Sequence, residues 1–259
     1  MSAAVSGRPR GFRAGVSFLT RIPVSAEIGE RDIAASVAWF PVVGVGVGTA
    51  SAAIYLAASK LWPSPIAAIL AVGASIAITG AFHEDGLGDT ADAFGAASTG
   101  RDPEPVLKDP RMGAFGVVAL VVDIGVRVTC VAALTPRAGA LALIGAHALA
   151  RGVSAGVVVS APSASTGLGS SYAALAPRWR GVVAAVVGTL VATLCLGIGG
   201  PLSLIAAIGL AILVTRWAAR ALGGVSGDVL GAIEQLGEIA VLLVVVALSV
   251  QGSPPPLAG

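Results

Sequence analysis

Long apolar stretches alternate with short polar segments along most of the chain. Seven of these stretches approach the roughly 20 apolar residues that one membrane-spanning helix requires. Prolines and glycines separate several of them, as in "KLWPSP" and "GIGGPLS". The pattern predicts an all-α polytopic integral membrane protein with about seven transmembrane helices, or six if one segment is re-entrant or interfacial. The predicted spans are residues 34–58, 65–82, 114–134, 139–160, 181–199, 202–222 and 230–250.

The composition agrees with this prediction. Of the 259 residues, 56% are hydrophobic and only 12% are charged, whereas a soluble domain carries about a quarter charged residues. The mean hydropathy is +0.90. With aromatic residues at 5%, the helices must pack through Ala, Gly and Val, which allow close approach in membranes. The "GVGVG" at 44–48 therefore predicts tight helix packing rather than nucleotide binding.

Basic residues are concentrated on alternate sides of the predicted spans. Because cytoplasmic segments of membrane proteins are enriched in Lys and Arg, the N-terminus and the loops 83–113, 161–180 and 223–229 are predicted to be cytoplasmic. Segment 11–23 mixes Arg with Phe and Leu and is too short to span, which favours a helix lying along the membrane interface. The arginines that precede the first span are Arg8, Arg10, Arg13 and Arg21.

Seven of the 14 acidic residues lie between Glu84 and Asp109. On a helix, Asp85, Asp89 and Asp92 fall at i, i+4 and i+7 on one face, where like charges repel. A divalent cation removes that penalty, and Mg²⁺ prefers carboxylate oxygens together with substrate phosphate. Glu84 lies about a quarter-turn away and joins the candidate metal ligands only if the helix begins near Gly86. The alternative is a solvated acidic loop, although residues 83–100 contain no Lys or Arg.

A basic segment, "GRDPEPVLKDPRMGAFG", follows the acidic one. Carboxylates that hold a metal next to cations are the combination that phosphoryl transfer requires. Pro110 discourages helical geometry at Asp109, so we expect a turn that presents Lys108 and Arg111. The planar guanidinium of Arg111 suits a diphosphate, and Asp109 would orient a cation. The alternative is that Arg111 only pairs with Asp109.

Ionisable residues also occur inside the predicted spans, where they are costly and therefore candidates for function. Asp123 and Arg127 are four residues apart and are predicted to pair as a structural contact. His147 and Arg151 share a helix face, but Arg151 has no acidic neighbour in sequence. It must find a carboxylate elsewhere, a phosphate, or the interface, and structure and substrate binding are equally open.

Two further carboxylates, Glu234 and Glu238, lie four residues apart in the last span, six and ten residues after Asp228. They either complete the cation site or pair with Arg216 and Arg220, and pairing is the favoured alternative.

Several motifs resemble the cobalamin synthase family, also called adenosylcobinamide-GDP ribazoletransferases. The strongest are "FHEDGLGDTADAFG" and "VLKDPRMGAFGVVAL"; weaker ones are "FLTRIPV", "AWFPVVGVGVG" and "GGVSGDVLGAIEQLGEIAVLL". The resemblance implies a phosphotransferase that joins adenosylcobinamide-GDP to α-ribazole or its 5′-phosphate and releases GMP. It also implies Mg²⁺ as cofactor, a role in the last steps of cobalamin biosynthesis, and a location in the inner membrane of a bacterium.

These considerations lead to one membrane-embedded catalytic domain over residues 1–259, with a disordered tail at 251–259. Its active site faces the cytoplasm. Its partners are the small-molecule substrates and membrane lipid, with no nucleic acid, and a homo-oligomer is open. The candidate catalytic residues are Asp85, Asp89 and Asp92, and the candidate metal ligands are these three with Glu84. The candidate substrate-binding residues are Lys108, Asp109, Arg111, Arg151 and Asp228, with His83, Glu234 and Glu238 as additional candidates.

Two other functions fit part of the pattern. A transporter would use the intramembrane Asp, His, Arg and Glu residues as an ion path, but the sequence shows no inverted repeat. A membrane prenyltransferase also uses aspartate-rich Mg²⁺ sites, but its motifs normally occur twice and this chain has one dense acidic cluster. Another membrane phosphotransferase with an aspartate-rich site is a third alternative.

Overall fold

The computed structural model describes residues 7–24, 28–164 and 175–252, and their regular structure is helical apart from one isolated bridge between Ser163 and Val225. The predicted all-α class is therefore confirmed. The first half contains α1 (Gly7–Leu19), α2 (Glu30–Ser36), a 3₁₀ turn (Val37–Trp39), α3 (Phe40–Ala58), α4 (Ser64–Thr79), α5 (Phe82–Ser98) and α6 (Pro103–Leu107). The second half contains α7 (Ala114–Ala132), α8 (Pro136–Ser160), α9 (Arg178–Leu196), α10 (Gly199–Ala221) and α11 (Gly227–Val250). Most of the predicted tail, residues 253–259, lies outside the described residues.

Six helical segments of the described chain are long and apolar enough to cross a membrane. They are 30–58, which joins α2, the 3₁₀ turn and α3, and the five helices α7 to α11. Helices α4 and α5 pass the same criteria only as a pair, and they meet at 91°. Since only one member of such a pair can run along the membrane normal, we treat α4 as the seventh span and α5 as a helix at the end of the bundle. The prediction of a multi-pass protein is confirmed, with six spans in the described chain, or seven if the bent pair supplies one.

The bend between α4 and α5 is made by two residues with left-handed backbone. Gly80 has φ = 69° and Ala81 has φ = 58°. A non-glycine residue in this conformation costs roughly 1–2 kcal/mol, so the strain at Ala81 must be offset by the surrounding packing. The backbone N–H of Arg21 donates to the Ile78 carbonyl at 2.8 Å, which fixes the end of α1 beside the bend. The polar segment after α4 is therefore redirected across the bundle instead of continuing away from it.

The central helix is α8, which packs against α3, α9 and α11. Its contact with α3 depends on small residues: a Cβ atom on Gly48 would lie 2.8 Å from the Leu143 carbonyl oxygen, too close for a real side chain. Gly44 meets His147 in the same way. The predicted role of the glycines at 44–48 in tight helix packing is confirmed at these two positions.

Three polar connections meet at one end of the bundle. Val225 donates its N–H to the Pro162 carbonyl at 2.8 Å, and Ala164 donates to the Val225 carbonyl at 3.1 Å. A Cβ atom on Gly86 would lie 2.7 Å from the Asp228 carbonyl oxygen, so α5 packs directly on the start of α11. Segments 83–113, 161–164 and 223–229 therefore lie on the same side, as predicted, whereas residues 165–174 of the second loop lie outside the described chain.

Candidate active site

The acidic face of α5 is open at this end of the bundle. Asp85 is exposed, and Asp89 and Asp92 are partly buried. The negative charges of Asp85, Asp92 and Asp228 repel the carboxylate of Asp89. Asp228, at the start of α11, therefore adds a fourth carboxylate to the three that the sequence places on one face. Within the described residues, no ion pair links these four carboxylates to a basic side chain. We call these four residues the acidic face.

Asp92 connects the acidic face to the basic segment. Its Oδ2 accepts a hydrogen bond from Gly113 N at 2.6 Å, and its Oδ1 accepts one from Gly116 N at 2.9 Å. These N–H groups belong to the start of α7, where helix donors lack partners within the helix and favour negative charge. Asp92 therefore holds the end of the basic segment against α5. Its predicted role as a metal ligand stays a prediction, and this second role was not predicted from the sequence.

The predicted turn is present within the basic segment, since residues 108–113 are not helical. The Arg111 guanidinium forms a two-point contact with Asp109, with Nη2 2.7 Å from Oδ2 and Nε 3.0 Å from Oδ1. These hydrogen bonds lower the pKa of Asp109 to about 2. The Arg111 side chain is nevertheless 86% exposed, so its outer edge is open to an anion. Lys108 pairs with Glu104 at 2.7 Å. Contact of either cation with a phosphate stays a prediction.

A second group of charges is buried inside the bundle, centred on Arg127 of α7. Arg127 pairs with Asp123, four residues earlier, at 3.4 Å, which confirms the predicted contact. Its other partners come from α4, α5 and α11. They are Glu84 at 3.0 Å, Gln235 at 2.7 Å, Glu238 at 2.9 Å and Ser75 at 3.2 Å.

Arg151 of α8 is the second centre of this buried group. Its Nη1 atom lies 2.6 Å from Glu234 Oε1, 3.0 Å from Glu238 Oε1 and 3.0 Å from His147 Nδ1. The ligand atoms of His147, Glu234 and Glu238 lie within 4.8 Å of one another, as metal ligands do. The guanidinium nitrogen contacts all three, so this position already holds a cation. His83 of α5 lies 3.6 Å from Glu234. We call the residues around Arg127 and Arg151 the buried network.

The structure thus divides the predicted site residues into two sets. Asp85, Asp89, Asp92 and Asp228 form the acidic face, with Lys108, Asp109 and Arg111 on the adjoining turn. Glu84, His83, Arg151, Glu234 and Glu238 belong to the buried network, so Glu84 has a structural partner and points into the bundle. Their predicted ligand and substrate roles stay predictions.

One predicted pairing is wrong. Arg216 and Arg220 are exposed on α10, whereas Glu234 and Glu238 face α7 and α8 and pair with Arg127 and Arg151. Sequence reasoning also missed Gln235 and Ser75, although a polar residue within an apolar span signals such a contact.

Comparison with known proteins gives consistent results. The family model for cobalamin-5-phosphate synthase matches residues 11–246. Three relatives carry the name adenosylcobinamide-GDP ribazoletransferase. The protein from Bradyrhizobium diazoefficiens is 43% identical over 243 residues, covering 91% of this chain and 93% of the relative. Those from Azorhizobium caulinodans and Ralstonia nicotianae are 38% and 35% identical, covering 89% and 95% of this chain and 92% and 98% of the relatives.

No solved structure matches the chain. The family match nevertheless extends from α1 to the last span and includes both the acidic and the basic segment. The chain is therefore an enzyme of cobalamin synthesis and belongs to the cobalamin-5-phosphate synthase family.

Proposed function

We propose that the protein is an Mg²⁺-dependent transferase that joins adenosylcobinamide-GDP to α-ribazole or α-ribazole 5′-phosphate and releases GMP. The observation that carries the proposal is the juxtaposition of the acidic face with the basic turn, which Asp92 holds together through Gly113 and Gly116. The names of the relatives supply the substrate pair, since they name adenosylcobinamide-GDP and a ribazole transfer.

The acidic face suits a hard divalent cation. Its donors are carboxylate oxygens from two helices, they are at least partly exposed, and no basic side chain of the described residues neutralises them. Asp89 and Asp228 would hold the ion, and Asp85 would stay available for the proton of the attacking hydroxyl. Both carboxylate oxygens of Asp92 already accept backbone hydrogen bonds, so Asp92 would add a ligand only through its remaining lone pairs. When bound, Mg²⁺ would neutralise diphosphate oxygens and the charge that develops on the leaving group.

The chain's own residues account for the remaining requirements of the transfer. The ribazole hydroxyl attacks the phosphorus attached to the corrinoid arm, a new P–O bond forms, and the P–O bond to GMP breaks. Asp85, the most exposed carboxylate of the three on α5, accepts the hydroxyl proton. Arg111 binds two oxygens of the diphosphate through its exposed edge, and Lys108 adds a less directional positive charge.

The proposal also gives the site an orientation. Arginines precede the first span, and the segments that meet at the acidic face include further basic residues. Under the positive-inside rule, this end of the bundle faces the cytoplasm, where soluble nucleotide substrates are available. The inner membrane of a bacterium is the corresponding location.

The test is an assay of purified protein with adenosylcobinamide-GDP and α-ribazole 5′-phosphate, before and after removal of divalent cations. We expect equimolar GMP and coupled corrinoid, quantified by chromatography and mass spectrometry, only when Mg²⁺ is restored. The matched control is the same protein kept in Mg²⁺ throughout. Release of GMP without coupled product would contradict the substrate pair, and undiminished coupling in chelator would contradict the metal.

A further inference from the structure

A groove of about 730 Å³ lies on the flank of the bundle, between α8, α9 and α10. Its walls are apolar for most of its length, and Val182, Val186 and Ile212 are exposed along it. In a membrane-spanning bundle, exposed apolar residues of this kind face hydrocarbon. The groove is therefore open sideways to lipid.

One end of the groove is positively charged. Arg178 opens α9 and Arg216 lies near the end of α10, and both line the groove. No acidic residue lines it, and neither arginine has an ion pair within the described chain. Thr215 also lines this end, and its buried hydroxyl has no hydrogen-bond partner among the described residues. The end of the groove thus offers two cations to an anion.

The length of the groove matches one leaflet of a bilayer. From Arg216 back to Leu204, α10 rises twelve residues, or about 18 Å at 1.5 Å per residue. Half of a hydrocarbon core of roughly 30 Å is about 15 Å. An acyl chain lying against Leu204 and Ile208 would therefore place its phosphate near the two arginines, at the level where basic side chains meet anionic headgroups.

We propose that this groove binds one anionic phospholipid, with its phosphate between Arg178 and Arg216 and one acyl chain along α9 and α10. A soluble phosphate compound would leave the apolar length of the groove unfilled, which is why lipid is the assigned occupant. The site also adjoins the active-site end: Pro162 lines the groove, and its carbonyl accepts the Val225 N–H three residues before Asp228. The lipid would thus contact Pro162, which is hydrogen-bonded to the segment that carries Asp228.

The test is lipid competition on the purified full-length protein, with an equimolar mixture of phosphatidylglycerol and phosphatidylcholine and with native mass spectrometry as the readout. We expect wild type to retain one phosphatidylglycerol in preference to phosphatidylcholine. Each basic residue near an anionic lipid contributes enough to change binding by about fivefold, so the double variant Arg178→Gln/Arg216→Gln should lose the preference. The matched control, Arg220→Gln, removes an exposed arginine one turn further along α10 and outside the groove, and should keep it.

A second variant tests the apolar part separately. Val182→Trp fills the groove without changing charge and should reduce retention of both lipids. If the double variant does not fold, Arg216→Gln alone carries the charge test.

Equal retention of the two lipids by wild type, or an unchanged preference in the arginine variants, would overturn the proposal. A weakened use of adenosylcobinamide-GDP in lipid-free detergent with an unchanged lipid preference would also overturn it, because the arginines would then serve the substrate. The readout is binding, so it is independent of the proposed reaction.

Discussion

The acidic face and the buried network are built from the same kinds of residue at the same helical spacing. Asp85 and Asp89 on α5 are four residues apart, as are Glu234 and Glu238 on α11. The glutamates are buried and contact two guanidinium groups, whereas the aspartates are at least partly exposed and no basic side chain of the described residues pairs with them. Only the acidic face therefore has carboxylates that no cation of the described chain neutralises.

The comparison also separates two uses of charge in a membrane protein. Four carboxylates and two guanidinium groups make up the buried network, and His83 and His147 lie among them. Buried charges that are paired fix the geometry of the helices around them, while removal of one partner leaves the other uncompensated. The network thus holds α5 in place through Glu84 and His83, and the next residue, Asp85, emerges on the open side.

The largest expected effect comes from breaking the buried network. Arg127→Met leaves Glu84, Asp123 and Glu238 without their shared cation, which should lower the free energy of unfolding by about 3–5 kcal/mol. The matched control is Arg111→Met, which removes an exposed arginine and should leave the unfolding temperature unchanged. Thermal unfolding of both variants in detergent measures the difference. Equal unfolding temperatures for Arg127→Met and wild type would mean that the network does not support the fold.

The acidic face should respond in the opposite way. Asp89→Asn removes one of several mutually repelling charges, so the fold should be retained or slightly stabilised. Turnover should nevertheless fall a hundredfold or more, about 2.7 kcal/mol of transition-state energy, because a bound cation would lose a ligand. Steady-state rates over a range of Mg²⁺ concentrations test this, with Glu30→Gln as the control. Near-normal rates at limiting Mg²⁺ would exclude Asp89 as a ligand.

The basic turn should show a smaller effect that depends on geometry rather than charge. Arg111→Lys keeps the positive charge but loses the planar fork, so kcat/KM for adenosylcobinamide-GDP should fall about tenfold or more, equivalent to about 1.4 kcal/mol. Arg101→Lys, on the same segment, is the control and should change little. If kcat/KM for Arg111→Lys stays within about threefold of wild type, Arg111 only pairs with Asp109.

The smallest perturbation tests whether segments 83–113 and 223–229 lie on the same side of the membrane. In a protein without Cys130 and Cys195, single cysteines at Ser98 and Ser226 should react with an impermeant thiol reagent from the cytoplasmic side of oriented vesicles, with activity retained. Protection of either position from that side, together with labelling from the other, would contradict the assigned orientation.

The sequence predicted the features that depend on local spacing. The spans follow from the length of the apolar stretches, and the Asp123–Arg127 contact follows from a separation of four residues on one helix. The carboxylate partners of Arg151 could not be found in this way, because they lie on α11, more than 80 residues away. Likewise, the hydrogen bonds of Asp92 with Gly113 and Gly116 depend on how α5 crosses the start of α7. That crossing depends on the left-handed backbone at Ala81, which no residue preference predicts.

The position of the buried network along the chain constrains how the protein is made. Asp123 and Arg127 are synthesised on one helix and can enter the membrane already paired, but Arg151 depends on glutamates of the last helix. Until α11 has been synthesised and inserted, Arg151 of the central helix lacks the two glutamates that pair with it. Insertion of α11 is therefore the step that completes the assembly, and chains released before it should be recognised by membrane quality-control proteases as unfinished.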